Sequence, residues 1–274
     1  MSISAPRYAS VPVPHEGRGY RILAVMRREF VHRAGSSTLL PLALLFTVVV
    51  ATILVEGFFA AFVGGLTRAD IESALESLPW PFLVLIVATS AGAGTLAEDI
   101  GNRSITLYLS RPIHLGDYLL AKAAACGAWL LLATAVPGLA GVVIVGLLGY
   151  ASLVTALGAA AGFLAVGLVA SVFLTGLALA LSSLTSRSLN AGVAIFGLVL
   201  SLYIGVSVVS AVTGNPYVRY ASPLTDLHSV ALGSFGVTGA PTDPIGSAVG
   251  LLGAGVLLAL LAEWRLSRIE VVGE

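Results

Sequence analysis

The sequence predicts an all-α, polytopic membrane protein with six transmembrane helices. The 274-residue chain is 57% hydrophobic and only 10% charged, with a mean hydropathy of +0.99, whereas soluble domains carry about 25% charged residues. Its apolar residues form long uninterrupted runs. Such runs predict membrane-spanning helices, because a β-barrel would show short alternating segments instead.

An amphipathic helix is predicted first, between Gly19 and Arg33. Its apolar face carries Ile22, Leu23, Met26 and Phe30. Its polar face carries Arg21, Arg28 and His32. Such a helix lies on a membrane surface, either as a plain anchor or as part of a recognition surface. The first apolar run begins near Leu39, too far along for a short cleavable signal peptide, so we expect a retained, cytoplasmic N-terminus.

Six spans follow from the rule that a helix needs about 20 mostly apolar residues to cross the bilayer. The predicted spans are residues 39–62, 79–96, 123–148, 153–181, 189–212 and 245–262. The 64 residues from Ala123 to Ser186 carry no charge and are too long for one span. We therefore place a turn at Gly149-Tyr150-Ala151-Ser152. Three regions result: a cytoplasmic N-terminus (1–37), the transmembrane domain (38–263) and a cytoplasmic tail (264–274).

The basic residues support this count of spans. With a cytoplasmic N-terminus, 12 of the 14 Lys and Arg residues lie on the inner side. Only Arg68 and Arg219 lie outside, as the positive-inside rule expects. The interpretation therefore places both chain ends in the cytoplasm and the protein in the cell membrane.

The segment between spans 5 and 6, Thr213 to Pro244, is long and rich in proline and glycine. Its middle, Leu224 to Phe235, forms either a short helix dipping into the outer leaflet or a plain surface loop. Gly158 with Gly162, and Gly246 with Gly250, have the four-residue spacing that lets helices approach closely, and we interpret them as packing positions.

Catalytic and metal-binding chemistry finds little support in the sequence. The one lysine, Lys122, lacks the flanking residues of a phosphate-binding loop, so ATP hydrolysis would need another polypeptide. The single Cys126 excludes a disulfide within the chain. Asp226 and His228 lie close together but lack a third metal ligand. Glu56 is interpreted as an interfacial carboxylate, with a substrate contact as the alternative.

The loop between spans 2 and 3 is the informative segment, with the sequence EDIGNRSITLYLSRPIHLGDYLLAK from Glu98 to Lys122. Residues from about Ile100 to Ser110 are predicted to form a short amphipathic helix. Pro112 ends it, because the residue before proline disfavours helical geometry.

This loop resembles that of the permease family of ABC-2 type transporters. The family pattern has acidic residues, a glycine, a run ending in Leu-Ser-x-Pro and a lysine at the next span. The matching positions are Glu98 and Asp99, Gly101, Leu107, Leu109, Ser110, Arg111, Pro112 and Lys122. The similarity covers the whole chain and is closest to the branch associated with nitrous oxide reductase maturation.

The resemblance implies a membrane subunit, without catalytic residues or cofactors of its own, that pairs with a second copy and with two ATPase subunits binding ATP and magnesium. Export is the commoner direction in the family. The loop helix would be the coupling helix seated on the ATPase, braced by the N-terminal helix. The residues expected to transmit the motion are Glu98, Asp99, Gly101, Arg103, Tyr108, Arg111 and Pro112.

The other expected partners are the lipid bilayer and an accessory protein on the outer side. Binding of nucleic acid is not expected. The alternative function is a secondary transporter or channel working without ATP, which predicts mid-span charges, repeats or broken helices. An intramembrane enzyme would need an activated nucleophile or a metal set. The spans show neither, and the sequence leaves the transported substrate open.

Overall fold

The computed structural model describes residues 17–63, 80–104, 114–149, 152–237 and 239–271. Every regular element within these ranges is helical, which confirms the predicted fold class. The α-helices are α1 (Arg18–His32), α2 (Ser36–Val63), α3 (Trp80–Gly92), α4 (Gly94–Gly101), α5 (Leu115–Leu147), α6 (Leu153–Ser182), α7 (Ser188–Thr213), α8 (Pro223–Ser234) and α9 (Pro244–Val271). A 3₁₀-helix, Pro216–Ala221, precedes α8.

Six helical stretches in the described ranges are long and apolar enough to cross a membrane, as predicted. They are α2, α3 continued by α4, α5, α6, α7 and α9. The second stretch runs on past Leu96 to Gly101. The regular helix is interrupted at Ala93, which keeps helical backbone angles of φ −56° and ψ −42°. The third begins at Leu115, eight residues before the predicted Ala123, so that Lys122 lies inside a helix rather than before it.

The turn between α5 and α6 explains why the long uncharged run is two helices. Gly149 has φ +75°, a left-handed conformation that glycine adopts without strain. The Ser152 Oγ then accepts a hydrogen bond from the Thr155 N–H at 3.2 Å and caps α6. The predicted turn at 149–152 is thereby confirmed, although Tyr150 and Ala151 lie outside the described residues.

Helix α6 is at the centre of the bundle. Two thirds of its span is buried, as for α3 with α4, whereas only 17–22% of α2, α7 and α9 is buried. Its buried face, which includes Val166, Leu174 and Ala178, joins the main hydrophobic core, which also takes in residues of α2, α3, α5, α7, α8 and α9. The three less buried spans therefore present most of their apolar surface to their surroundings.

The segment between α7 and α9 contains a buried helix. Helix α8 covers Leu224 to Ser234, nearly the whole of the predicted stretch, and Leu224, Leu227 and Val230 are at most 4% exposed. The Ser222 Oγ caps it by accepting from the Thr225 N–H at 3.3 Å. A helix is thus present where a plain loop was the alternative, whereas its entry into the outer leaflet stays a prediction.

The closest helix contact involves glycines that the sequence patterns did not single out. A Cβ built on Gly255 of α9 would lie 2.7 Å from the Val172 carbonyl oxygen and 2.8 Å from the Phe173 Cα. By contrast, Gly158 and Gly250 have open space around them, and Gly162 contacts the Phe235 ring. Gly246 lies near the Asp243 side chain, so among the described residues neither predicted glycine pair meets another helix at both of its positions.

Replacing Gly255 by alanine is expected to destabilise the bundle, because the new methyl group would overlap backbone atoms of α6. Overpacking of this kind costs about 1–3 kcal/mol. Gly197→Ala in α7 is the matched control, since its methyl group would meet nothing within 4 Å, and alanine favours helix over glycine by about 1 kcal/mol. Circular dichroism during thermal unfolding in detergent measures both. Equal unfolding midpoints for the two variants would contradict the close α6–α9 contact.

Candidate functional site

Four segments of the chain meet at the end of the bundle that carries α1, called here the α1 end. They are α1 itself, the break between α3 and α4, the stem of the predicted coupling loop and the first turns of α5. Asp99 and Ser104 lie at the start of the loop, and Asp117, Tyr118 and Lys122 follow its end. This arrangement brings ionisable side chains from distant parts of the sequence together.

The centre of the site is the ammonium group of Lys122, which is only 3% exposed. Its Nζ lies 2.8 Å from the Glu29 Oε2 of α1 and 2.6 Å from the Asp99 Oδ2 of α4. Glu29 in turn pairs with Arg33, with 2.7 Å between Oε1 and Nη2. Two acids and two bases thus alternate, and the group is neutral overall. Neutrality allows a buried charge, whereas an unpaired one would be very costly.

Asp99 is held by uncharged partners as well. The Tyr118 hydroxyl donates to Asp99 Oδ2, and the Ser104 hydroxyl donates to Asp99 Oδ1 at 2.7 Å. Tyr118 is 1% exposed and belongs to a small hydrophobic cluster with Leu96, Leu119, Leu179, Ala262 and Leu266. Asp99 therefore joins the outgoing stem of the loop to the helix that follows it.

Arg33 extends from α1 to the break in the second span. Its Nη1 donates to the carbonyl oxygen of Ala91, two residues before the interruption at Ala93. Gly92 fits there because a Cβ would lie 2.6 Å from that of Ala178 in α6. The side chain of Arg33 thus joins the network to the second span, next to the interruption between α3 and α4.

An aromatic contact fixes the last turn of α1. The rings of Phe30 and Trp129 are stacked, with centroids 4.7 Å apart and an interplanar angle of 14°. The Trp129 Nε1–H also donates to the Phe30 carbonyl oxygen at 3.1 Å. The predicted amphipathic helix is therefore present, but its packed face differs from the predicted apolar face: Glu29 is buried against α5, while Leu23 is 56% exposed.

A second tie between α1 and α5 lies at the surface. The Arg18 guanidinium donates to both carboxylate oxygens of Asp117, from Nε at 2.9 and 3.0 Å and from Nη2 at 2.6 Å. The Arg18 side chain is 72% exposed. Exposed pairs of this kind contribute little to stability, so this contact orients the start of α1 rather than holding it.

The predicted coupling residues fall into three groups. Asp99 belongs to the buried network, whereas Glu98 is exposed. Gly101 ends α4, and a Cβ there would lie 2.5 Å from the Ser186 carbonyl oxygen in the α6–α7 turn. Arg103 has φ +52°, so the helix predicted from about Ile100 is interrupted at residues 102–103 by a turn. Tyr108, Arg111 and Pro112 lie outside the described residues.

Sequence reasoning missed Glu29 and Arg33. Their spacing, an acid four residues before a base, is a known signal for a pair on a helix surface, and this signal was not used. It also missed the burial of Lys122, whose partners lie 93 and 23 residues away along the chain. The ion pairs of this network hold α1, α4 and α5 together at the base of the loop.

The opposite end of the bundle, called here the α8 end, holds a buried polar group. The Asp226 Oδ1 accepts hydrogen bonds from the Ser247 hydroxyl at 2.8 Å and the Thr242 hydroxyl at 3.1 Å. Burial raises the pKa of the Asp226 carboxyl above its ordinary value, and the two hydroxyl donors partly oppose this. Among the described residues, no group of three His, Cys, Asp or Glu side chains could hold a metal, at Asp226 and His228 or elsewhere. The side chain of Glu56 lies outside the described residues.

Replacing Lys122 by methionine is expected to destabilise the protein by about 3–5 kcal/mol, because Asp99 would lose the cation with which it pairs and Glu29 would keep only Arg33. Adding Asp99→Asn to Lys122→Met should restore part of the loss, since Glu29 stays paired with Arg33. Arg18→Gln serves as the exposed control and should leave the unfolding midpoint nearly unchanged. Thermal unfolding in detergent measures all three. A single Lys122→Met variant as stable as the Arg18→Gln variant would show that the network contributes nothing.

The comparison with protein families agrees with the fold. The family model described as ABC-2 family transporter protein matches residues 23–262, from within α1 almost to the end of α9. No curated protein matches the chain. The match takes in α1, the loop stems and all six spans. The chain therefore belongs to the ABC-2 transporter family and is a multi-pass membrane permease component of an ABC transporter, the general kind of protein that works with ABC-type ATPases.

Proposed function

We propose that this permease is an exporter subunit driven by separate ATPase subunits, which act on the loop between α4 and α5. The observation that supports it is the pairing of Lys122 with Asp99 and Glu29. A loop can transmit force only if its base is stiff. Here the outgoing stem at Ser104 and the returning helix at Tyr118 are both bonded to the same carboxylate.

The exposed and buried coupling residues have different roles in this proposal. Tyr108, Arg111 and Pro112, together with the exposed Glu98 and Arg103, contact the ATPase. Asp99 and Gly101 are positioning residues. Asp99 holds the stem against α5, and Gly101 lets it pack on the α6–α7 turn at Ser186. ATP and magnesium are bound by the ATPase, and nucleotide shifts the permease only if it favours one conformation energetically.

The network also supplies a route from the loop to the spans. Movement of the stem would displace Asp99 and Lys122, and through Glu29 it would displace Arg33. Because Arg33 is bonded to Ala91 at the break in the second span, the motion reaches a point where the helix is interrupted. In this proposal the two parts of the span, α3 and α4, shift relative to each other at that point. The change in access across the membrane would begin there.

The assembly completes the proposal. Two permease copies and two ATPase subunits form the transporter, in the cell membrane, with the α1 end and both chain termini in the cytoplasm. The charges support this orientation, since Arg21, Arg27 and Arg28 lie at the α1 end and cytoplasmic segments accumulate such residues. An accessory protein would approach the α8 end. The branch associated with nitrous oxide reductase maturation remains our preferred placement within the family.

One feature favours the alternative of a transporter or channel working without ATP. The second span is interrupted at Ala93, although this residue keeps helical backbone angles, and discontinuous helices are typical of secondary transporters. In such proteins, however, the break lines an ion or substrate site. Here the Ala91 carbonyl is occupied by Arg33 from α1, and Gly92 packs against Ala178.

Substitutions in the loop and in the network should separate ATPase binding from transmission. Tyr108→Ala combined with Arg103→Ala is expected to weaken capture of the co-expressed ATPase about tenfold, or ~1.4 kcal/mol. Arg33→Gln should lower the unfolding midpoint, because Glu29 and Asp99 would then have only Lys122 as a buried cation. In protein that remains folded, it should leave capture intact but reduce the effect of the permease on ATP hydrolysis, because the link to the second span is lost. Arg219→Gln at the α8 end is the control for loss of an arginine.

Affinity pull-down and hydrolysis rates of the complex in nanodiscs measure these effects. Unchanged capture and hydrolysis in the Tyr108→Ala, Arg103→Ala variant would overturn the loop as the ATPase contact. Full activity of the Arg33→Gln variant would be compatible with the loop as the ATPase contact but would contradict the proposed route through α1.

A further inference from the structure

An open cleft of about 520 Å³ lies at the α8 end, on the far side of the bundle from the ion network. One wall is the 3₁₀-helix, with Tyr217 and Tyr220. The other is the short segment before α9, with Pro241, Thr242 and Asp243. The described residues that line the cleft include two aromatic rings and one carboxylate, and none is Lys, Arg or His.

The tyrosines form an aromatic edge that faces open space. In a 3₁₀-helix, residues three apart lie directly above one another, so Tyr217 and Tyr220 share one side. Tyr217 is 78% exposed and Tyr220 is 41% exposed. The Tyr220 hydroxyl accepts a hydrogen bond from the Asp243 N–H at 2.8 Å, which fixes the spacing of the two walls. The cleft is thus preformed rather than created by movement of a loop.

Negative charge lies on the wall opposite the rings. Asp243 is exposed, and its Oδ2 accepts from the Gly246 N–H at 2.6 Å at the start of α9. Behind it, Thr242 lines the cleft and donates to the buried carboxylate of Asp226. The neighbouring Arg219 does not line the cleft, and its Nε donates to the Ser210 Oγ of α7 at 3.2 Å. The one charged side chain among the described residues that line the cleft is therefore a carboxylate, and this carboxylate also caps the start of α9.

We propose that this cleft binds an organic ammonium ion, with its alkyl groups against the rings of Tyr217 and Tyr220 and its charge towards Asp243. Aromatic faces attract alkylated ammonium groups, because such ions shed water readily and fit the negative face of the ring. A metal cation is less suited, since magnesium and calcium need several oxygen ligands. A free solute and the choline headgroup of a lipid carry the same chemistry.

The probe is tetramethylammonium chloride, titrated by isothermal calorimetry into the full-length protein in phosphatidylglycerol nanodiscs, with sodium chloride as the ionic control. We expect saturable binding of tetramethylammonium only. Tyr217→Ala and Asp243→Asn should each weaken it about tenfold. Asparagine still caps α9, so Asp243→Asn removes charge without unfolding the helix. Tyr217→Phe should bind like the unmodified protein, and Tyr20→Ala on α1 is the control for an exposed tyrosine at the other end.

The source of the ammonium group is tested by repeating the titration in phosphatidylcholine nanodiscs. A weaker apparent affinity there supports a lipid headgroup as the occupant, and an unchanged affinity supports a free solute. The proposal is overturned by an absence of saturable binding, by equal effects of sodium, or by unchanged affinity in both Tyr217→Ala and Asp243→Asn. None of these results depends on the role proposed for the ATPase.

Discussion

The burial of a single lysine is the constraint on which the α1 end of this protein depends. Lys122 lies inside the third span, and its charge is tolerated only because Glu29 and Asp99 are within ion-pair distance. A charge in an apolar environment cannot be left unpaired without a large free-energy cost. Helix α1 must therefore stay docked on α5, and the start of the loop must stay against the same helix. The position of three segments follows from one ammonium group.

This constraint gives the loop a stiff base and a connection to the bundle. Arg33 shares Glu29 with Lys122 and also bonds the Ala91 carbonyl, so the network ends at the break in the second span. The Phe30–Trp129 stack adds a contact that does not depend on charge. The ion-paired base of the loop and the interruption of the second span at Ala93 have complementary roles in the proposed mechanism. The first lets a partner's motion enter the bundle, and the second gives that motion a place to act.

The two ends of the bundle use their polar groups differently. At the α1 end, the buried acids and bases pair with one another inside the protein. At the α8 end, Asp226 is satisfied by hydroxyl groups, and Asp243 stays exposed beside tyrosine rings. The first arrangement suits the transmission of force between protein segments. The second leaves an attractive surface for a small cation, which is why we place a binding site there.

The sequence by itself determined the number of spans, the amphipathic N-terminal helix and the turn at 149–152. These features depend on local hydrophobic length, on helical periodicity and on single residues such as Gly149, all of which can be seen in adjacent positions. Only the tertiary structure decided that Lys122 pairs with Glu29, that Gly255 rather than Gly158 or Gly250 meets a neighbouring helix, and that span 2 breaks at Ala93. Such contacts depend on which helices approach and at what rotation. A uniformly apolar helix carries no periodic signal that specifies its neighbour.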